Sequence, residues 1–227
     1  MSILEALLLA LVEGLTEFLP VSSTAHLLFT EELLGIQQTE YVKMFTVSIQ
    51  FGAIIAVVVA YWKRFFVNIK WSFYKVLAIA VLPALILGKL FDDKIEAVFE
   101  KPLIIAIVLI VGGVVLLFID RIFANQAQIK DQEVSTRQGL FIGLWQCLAM
   151  MPGVSRSAAS IIGGMQQGLN RKSAAEFSFF LAVPTMAAVT LYSVLLKDWC
   201  VNGQETKGVE MIFSSTENTL VFLIGNV

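Results

Sequence analysis

Residues 102–119, PLIIAIVLIVGGVVLLFI, form an unbroken apolar run that decides the class of fold. A helix needs about 20 predominantly apolar residues to cross the hydrocarbon core of a bilayer. Farther out in both directions, Met44–Trp62 and Phe177–Leu196 are runs of similar length without a charged residue, and Trp71–Gly88 is interrupted only by one lysine and one proline. The sequence therefore predicts four membrane-spanning helices.

The composition excludes a soluble domain. Of the 227 residues, 57% are hydrophobic and only 15% are charged, and the mean hydropathy is +0.79. Soluble domains carry about 25% charged residues. We predict an all-α polytopic membrane protein with residues 1–227 as one membrane domain, and no disulfide framework from the two cysteines.

The charges of the connecting segments predict an orientation. Residues 63–75 hold four basic and no acidic residues, which the positive-inside rule places in the cytoplasm. Threading outward from there puts the acid-rich segments 89–101 and 197–217 outside and returns 120–137 to the cytoplasm. No Lys or Arg precedes Lys43, so residues 1–42 are predicted to begin and end outside.

Two segments read as hairpins that enter the membrane and turn back. In the first, we predict a descending helix at Ser2–Leu19, a break at Pro20–Ser22 and an ascending helix at Ser23–Leu34. The second, Gln138–Asn170, has its break at Pro152-Gly153. Helix-breaking residues are tolerated in membranes where neighbours satisfy the freed backbone groups.

The two hairpins form a weak internal repeat. A shift of 133 residues pairs residues 11–15 with 144–148 and residues 21–25 with 154–158. Three spans separate the copies, so we expect opposite orientations, with a first repeat at about 1–90 and a second at about 102–227. Inverted repeats of this kind bring broken helices together near the bilayer midplane, where we predict the functional site.

Glu13 and Glu17 are the candidate metal ligands. They lie four residues apart, so one helix face carries both, and carboxylates at membrane depth are usually functional. Adjacent carboxylates repel unless a divalent cation with oxygen ligands lies between them. The alternative is that both side chains extend to the outer surface near a helix end.

Polar residues follow the first break. Ser22, Ser23 and Thr24 begin the second helix, where their hydroxyls are favoured caps and where free backbone N–H groups can bind phosphate. His26 is the only histidine and shares a face with Ser23. We predict a role for His26 in proton transfer or nucleophilic attack; the alternative is a structural histidine.

Arg156 is the candidate phosphate-binding residue of the second hairpin. Its flanks, 147–155 and 157–170, are otherwise uncharged, and the fork of a guanidinium matches phosphate oxygens. Gly153, Ser155 and Ser157 are predicted to add phosphate contacts at the same helix start. The alternative is that Arg156 only pairs with Glu13 or Glu17.

These residues resemble a known family. Residues 13–26, EGLTEFLPVSSTAH, and 152–157, PGVSRS, are similar to the two signature motifs of undecaprenyl-diphosphate phosphatases of the bacitracin-resistance type, and the hydrophobic layout is similar along the whole chain. The resemblance implies removal of the terminal phosphate of the C55 lipid diphosphate outside the bacterial cytoplasmic membrane, which recycles the carrier for peptidoglycan synthesis. It also implies a divalent cation, Mg²⁺ or Ca²⁺. The functional residues that it implies are Glu13, Glu17, Ser23, His26 and Arg156.

The sequence departs from the family pattern at a few points. Ala25 and Ala158 stand where the family often has glycine, and Ser160 where it often has threonine; we expect these small changes to be tolerated. Residues 218–227 resemble the opening of a further span, where the family continues through two more helices.

Several alternatives stay open at this level. Ser23, His26 or a water could attack phosphorus. A lipid-carrier transporter or flippase would use the same broken helices, an intramembrane protease would leave Arg156 without a task, and a phosphatase of the PAP2 class would need a second histidine. The expected partners are the lipid diphosphate and membrane lipid, without nucleic acid; a homodimer is compatible with the sequence.

Overall fold

The computed structural model describes residues 1–99, 101–201 and 203–226, with the side chains of residues 93, 96, 127 and 128 left out. Its described part is helical apart from one small hairpin of strands. The elements are α1 (Ile3–Thr16), α2 (Ser23–Leu34), α3 (Glu40–Ala60), α4 (Trp71–Phe99), α5 (Pro102–Ile122), α6 (Thr136–Gln146), α7 (Arg156–Gln166), α8 (Arg171–Leu191), β1 (Asp198–Val201), β2 (Gln204–Lys207), α9 (Gly208–Phe213) and α10 (Thr216–Gly225).

Four helices are long and apolar enough to cross a membrane, as predicted. They cover Glu40–Ala60, Trp71–Asp92, Pro102–Ile122 and Arg171–Leu196. Large apolar side chains such as Leu103, Ile110 and Leu117 on α5 are exposed, as expected where lipid replaces water around a helix. The chain is a multi-pass membrane protein.

Three predicted boundaries were wrong. Residues 89–101 are not a loop over their described part, because α4 continues to Phe99 with a bend at Phe91 (φ −115°, ψ 15°); acidic residues do not end a helix, and no glycine or proline intervenes after Gly88 until Pro102. Glu100 lies outside the described residues. The first helix ends at Thr16 rather than Leu19, because Pro20 has no N–H to donate to the Thr16 carbonyl and its ring clashes with that carbonyl. The described residues between 197 and 217 form β1, β2, α9 and the start of α10 rather than an open loop.

In each predicted hairpin, the first and the last residues lie on the same side of the helix bundle. In the first, α1 and α2 flank residues 17–22 (the first break), and Met1 and Ile36 pack around one apolar cluster with Leu9 and Leu27. In the second, α6 and α7 flank residues 147–155 (the second break), and Gln138 near the start donates to the Gln167 carbonyl at 3.0 Å near the end. These helices have 11 to 14 residues, about 16–21 Å, less than the ~30 Å of a bilayer core.

Helix α6 runs parallel to α4. Gly139 faces Val76 and Gly143 faces Ala80, and a Cβ on Gly143 would come within 2.1 Å of the Ala80 carbonyl oxygen, so the two helices approach as closely as they do because residue 143 is glycine. The second hairpin therefore enters from the side on which α4 begins. Lys70 at that side bonds Glu133 at 2.5 Å, and this hydrogen bond lowers the pKa of the Glu133 carboxyl below its usual value.

The first hairpin enters from the opposite side. On that side of the bundle, the Tyr41 hydroxyl donates to the Asn218 carbonyl at 2.7 Å, and the Tyr192 hydroxyl donates to Asp92 at 3.1 Å. The same side carries the hairpin in which β1 pairs antiparallel with β2, with Asp198 opposite Lys207. The two broken hairpins consequently point toward each other, as the repeat predicted. The division into repeats at about 1–90 and 102–227 stays a prediction.

Candidate functional site

The two breaks meet inside the helix bundle. The Arg156 Nη2 donates to Glu17 Oε1 at 2.5 Å, and the Ser157 hydroxyl donates to the Leu19 carbonyl at 3.1 Å. Phe18 packs edge to face against Phe179, with ring centroids 5.8 Å apart. Residues 139 positions apart in the sequence therefore form one site.

Glu17 lies at the centre of this site and is 6% exposed. Its second carboxylate oxygen, Oε2, accepts a hydrogen bond from the Ser23 hydroxyl at 2.5 Å. Glu17 thus contacts the arginine of the second hairpin with one oxygen and the serine of its own hairpin with the other. A serine that donates to a carboxylate has the arrangement of a nucleophile beside its proton acceptor.

Glu13 lies one turn before Glu17 and is only 1% exposed. Neither of its carboxylate oxygens has a hydrogen-bond partner in the described structure. The alternative in which Glu13 and Glu17 reach the outer surface was therefore wrong. A buried carboxylate without a partner is strongly unfavourable, so the position suits a bound cation or proton.

The donor set around Glu13 fits a divalent cation. The described residues include no group of three or more His, Cys, Asp or Glu side chains that could hold a metal. Of the two predicted ligands, Glu13 has two unpartnered carboxylate oxygens, whereas the Glu17 oxygens also contact Arg156 and Ser23. Mg²⁺ usually binds through one or two carboxylates and completes its shell with water and substrate phosphate oxygens. Two buried glutamates match that preference.

The start of α2 has an unusual backbone. Ser22 has φ 64° and is the one non-glycine residue in the described chain with positive φ. It occupies the cap position without a side-chain cap bond, and Ser23 bonds Glu17 instead, so these two predicted caps were wrong; Thr24 follows, half-buried. The first-turn N–H groups of α2 receive no cap from Ser22, and a helix start of this kind favours anions.

His26 lies one turn beyond Ser22. Its Nδ1 is 2.8 Å from the Ser22 carbonyl oxygen. Because a carbonyl only accepts, Nδ1 carries the hydrogen, and Nε2 is left as the nitrogen that can accept a proton. The half-buried ring is thus held in one tautomer on the helix that carries Ser23.

Arg156 contacts α8 as well as Glu17. Its Nη1 donates to the Ser178 carbonyl at 3.1 Å, which divides the guanidinium between α8 and the first hairpin. The Nε atom is buried and has no hydrogen-bond partner in the described structure. A buried donor in that state is rare and calls for an explanation, and a phosphate oxygen of the substrate would supply the missing acceptor.

The second break places the arginine. Gly153 has φ 97°, and a Cβ there would lie 2.7 Å from the Ile105 carbonyl oxygen, so α5 and the turn both require glycine. The Ser155 hydroxyl caps α7 by accepting from the Ala158 N–H at 3.2 Å, and it lies 2.9 Å from the Ser157 hydroxyl. The phosphate contacts of Gly153, Ser155 and Ser157 stay predictions.

Sequence reasoning missed the two serines, on α7 and α8, that form hydrogen bonds with Arg156. Ser178 contributes a backbone carbonyl, for which its side chain gives no signal, while its hydroxyl lies 2.7 Å from that of Ser160. The Ser160 hydroxyl also donates to the Arg156 carbonyl at 2.9 Å. Gln146, which the 133-residue shift pairs with Glu13, is 3% exposed and has an unpartnered side-chain oxygen; the repeat was the signal that could have found it.

Comparisons with known proteins agree with this reading. A relative from Flavobacterium psychrophilum, named undecaprenyl-diphosphatase, is 51% identical over 191 residues, covering 84% of this chain and 71% of its own. One of the same name from Bdellovibrio bacteriovorus is 48% identical over 86% of this chain and 74% of its own. Another from Porphyromonas gingivalis is 44% identical over 100% and 83%. Residues 6–226 match the family described as bacitracin resistance protein BacA, and the chain belongs to that family.

Proposed function

We propose that this protein hydrolyses undecaprenyl diphosphate to undecaprenyl phosphate and inorganic phosphate. The observation that carries the proposal is the meeting of Arg156, with its unpartnered Nε, and the Glu17–Ser23 pair at opposed helix breaks. The names of the relatives support the same substrate. Recycling of the carrier lipid for peptidoglycan synthesis, and hence bacitracin resistance, follows from that reaction.

Binding neutralises the diphosphate. Arg156 offers Nε to a terminal phosphate oxygen, and the N–H groups at the start of α2 face the same charge. A divalent cation, Mg²⁺ or Ca²⁺, held by Glu13 and Glu17 would supply further positive charge beside the phosphates. Stabilising that charge is most of phosphoryl-transfer catalysis.

The contacts favour Ser23 as the nucleophile. Its oxygen forms a bond to the terminal phosphorus while the bond to the bridging oxygen breaks and undecaprenyl phosphate leaves; Glu17 takes the hydroxyl proton through the existing hydrogen bond. Water then attacks the phosphoserine, and His26 Nε2 accepts a proton from it. The bond between phosphorus and the Ser23 oxygen breaks, Glu17 returns its proton to that oxygen, and inorganic phosphate leaves.

The reaction requires a cation in this proposal. Chelation of divalent ions is expected to abolish phosphate release from C55 or C15 diphosphate by the purified protein, and Glu13→Gln is expected to raise the cation concentration needed for half-maximal rate at least tenfold. Glu210→Gln, in α9, serves as the control. Full activity in excess chelator would remove the cation from the mechanism.

The same assay separates hydrolysis from transport. A transporter or flippase would move the lipid diphosphate across vesicles without releasing phosphate. Movement without phosphate release would therefore overturn the proposed function.

We further propose that the protein lies in the bacterial cytoplasmic membrane with the ends of the first hairpin outside. With both native cysteines replaced by serine, Gln204→Cys, in β2, is expected to label with an impermeant thiol reagent in intact cells. Asn68→Cys, exposed just before α4, is expected to label only after lysis. Labelling of position 68 in intact cells would reverse the orientation.

A further inference from the structure

Glu31 is a buried carboxyl group that the mechanism above does not use. It lies on α2, two helical turns after Ser23, and is 2% exposed. Its Oε1 is 2.7 Å from the Thr46 hydroxyl oxygen on α3, and its Oε2 accepts a hydrogen bond from the side-chain amide of Gln38 in the α2–α3 connection. Glu31 forms no ion pair with any residue in the described part of the chain.

The hydrogen bonds around Glu31 indicate that its side chain carries a proton. The Thr46 hydroxyl has one hydrogen, and its oxygen also lies 2.9 Å from the Val42 carbonyl oxygen, which can only accept. When Thr46 donates to that carbonyl, the hydrogen of its shorter contact has to come from Glu31 Oε1. A neutral carboxylic acid satisfies every group, because Oε1–H donates to Thr46 while Oε2 accepts from Gln38. An ionised carboxylate buried without a cation would be strongly unfavourable.

The buried face of α2 that carries Ser23 also carries Glu31. Ser23, Leu27 and Glu31 follow one another at intervals of four residues and are all buried. Ser23 contacts Glu17 at the end of α2 next to the first break. Leu27 packs into one apolar cluster with Phe45 of α3, and Glu31 contacts α3 at the other end of α2 (the far end). The helix is continuous over the ~12 Å between Ser23 and Glu31, so a shift of the far end is transmitted to the serine.

The start of α2 has no comparable attachment to its surroundings. Ser22 makes no side-chain cap bond. In the proposed mechanism the hydrogen bond from Ser23 to Glu17 ends when the serine attacks phosphorus, so this contact cannot hold α2 during the reaction. A displacement of about 1 Å in a reacting group can cost about 10²-fold in rate. The positions of Ser23 and His26 therefore depend on contacts farther along the helix.

We propose that Glu31 is a positioning residue for phosphoryl transfer: as a neutral carboxylic acid, it joins the far end of α2 to α3 and thereby places Ser23 and His26 against the substrate phosphate. The inference rests on the proposed function and adds to it a residue that controls where the nucleophile lies. Glutamine is the closest neutral substitute for the acid, since its amide N–H can donate to Thr46 and its oxygen can accept from Gln38.

The first test compares Glu31→Gln with Glu31→Ala. Phosphate release from the C55 diphosphate is measured in a single turnover with protein in saturating excess, where a fraction of unfolded molecules does not change the rate constant. We expect Glu31→Gln to stay within twofold of wild type and Glu31→Ala to be at least tenfold slower, because only alanine removes the attachment to α3. Glu32 is the next residue on α2 and is exposed, so Glu32→Gln and Glu32→Ala are matched controls that should stay within twofold.

Thr46→Val tests the same contact from α3. Valine keeps the shape of the side chain and removes its hydroxyl, so the fold should persist even where the Glu31→Ala variant fails to insert. We expect a rate constant about two- to tenfold below wild type, the scale for one hydrogen bond. Thr46→Val should cause no further slowing in the Glu31→Ala background, because both changes remove one interaction. A wild-type rate constant in Thr46→Val would overturn the proposed attachment.

The proton on Glu31 is tested by infrared spectroscopy near neutral pH. The difference spectrum between wild type and Glu31→Gln should contain the carbonyl stretching band of a protonated carboxylic acid, and the difference spectrum between wild type and Glu32→Gln should lack it. Absence of the band from the first spectrum would show that Glu31 is ionised and would overturn the inference.

Two kinetic results would also overturn the inference. A wild-type rate constant in Glu31→Ala would show that the far end of α2 needs no attachment, and an equal loss in Glu31→Gln and Glu31→Ala would show that the negative charge is required. Failure of the wild-type protein to release phosphate would instead refute the proposed function, and the infrared result would not depend on it.

Discussion

Arg156→Ala is expected to lower phosphate release from undecaprenyl diphosphate by about 10²- to 10³-fold, the scale for loss of one preorganised donor to a developing negative charge. The arginine contacts both Glu17 and the Ser178 carbonyl, and its Nε is free for substrate. Removing it also breaks the buried ion pair with Glu17, which destabilises a protein by about 3–5 kcal/mol. Loss of activity in the alanine variant could therefore come from lost stability, and a second substitution is needed to separate the two effects.

Arg156→Lys supplies that comparison. Lysine keeps the positive charge beside Glu17 but cannot reach Glu17, Ser178 and a phosphate oxygen with one planar group. The lost charge-assisted hydrogen bond is worth about 1.5–3 kcal/mol, which corresponds to about 10- to 150-fold in rate. We expect normal insertion and thermal unfolding with at least tenfold slower hydrolysis.

The control for Arg156 is Arg171→Lys. Arg171 pairs with Asp120 at the exposed start of α8, about two turns before Ser178, and its variant should match wild type. Wild-type kcat/KM in Arg156→Lys would show that the arginine only balances Glu17 and would exclude a role in phosphate binding.

Ser23→Ala is expected to reduce kcat by about 10³-fold or more, because loss of a covalent nucleophile is among the largest single effects in hydrolases. The serine lies 2.5 Å from Glu17 Oε2, and alanine is nearly isosteric, so the fold should persist. Substrate labelled in the terminal phosphate should transfer label to wild-type protein in a rapid quench, and the label should be absent from Ser23→Ala.

His26→Ala should behave differently. A group that activates water in the second step contributes about 10²- to 10⁴-fold, so kcat should fall at least 10²-fold while the labelled phosphoserine accumulates. Label on His26 in the Ser23→Ala variant, or a His26→Ala variant that changes only KM, would contradict these roles. Thr190→Val is the control, since the Thr190 hydroxyl on α8 donates to the Val47 carbonyl and has no role in this mechanism.

The sequence by itself determined the membrane architecture. Length and apolarity are local properties, so the runs around residues 102–119 and 44–62 identified spans without any knowledge of their neighbours. Proline and glycine act on the local backbone, which is why Pro20 and Pro152-Gly153 located both breaks. The burial of Glu13 was predictable for a similar reason, since a carboxylate in an apolar membrane helix almost always faces the interior of the helix bundle rather than lipid.

Only the tertiary structure decided which residues of the two hairpins and of α8 contact one another in the site. The Glu17–Arg156 pair, the Ser178 carbonyl behind the arginine and the left-handed Ser22 depend on where distant helices lie. Residue types and their spacing specify which side chains can do chemistry, but contacts between segments more than a hundred residues apart, backbone carbonyls used as acceptors and the space left between helices arise only when the whole chain packs.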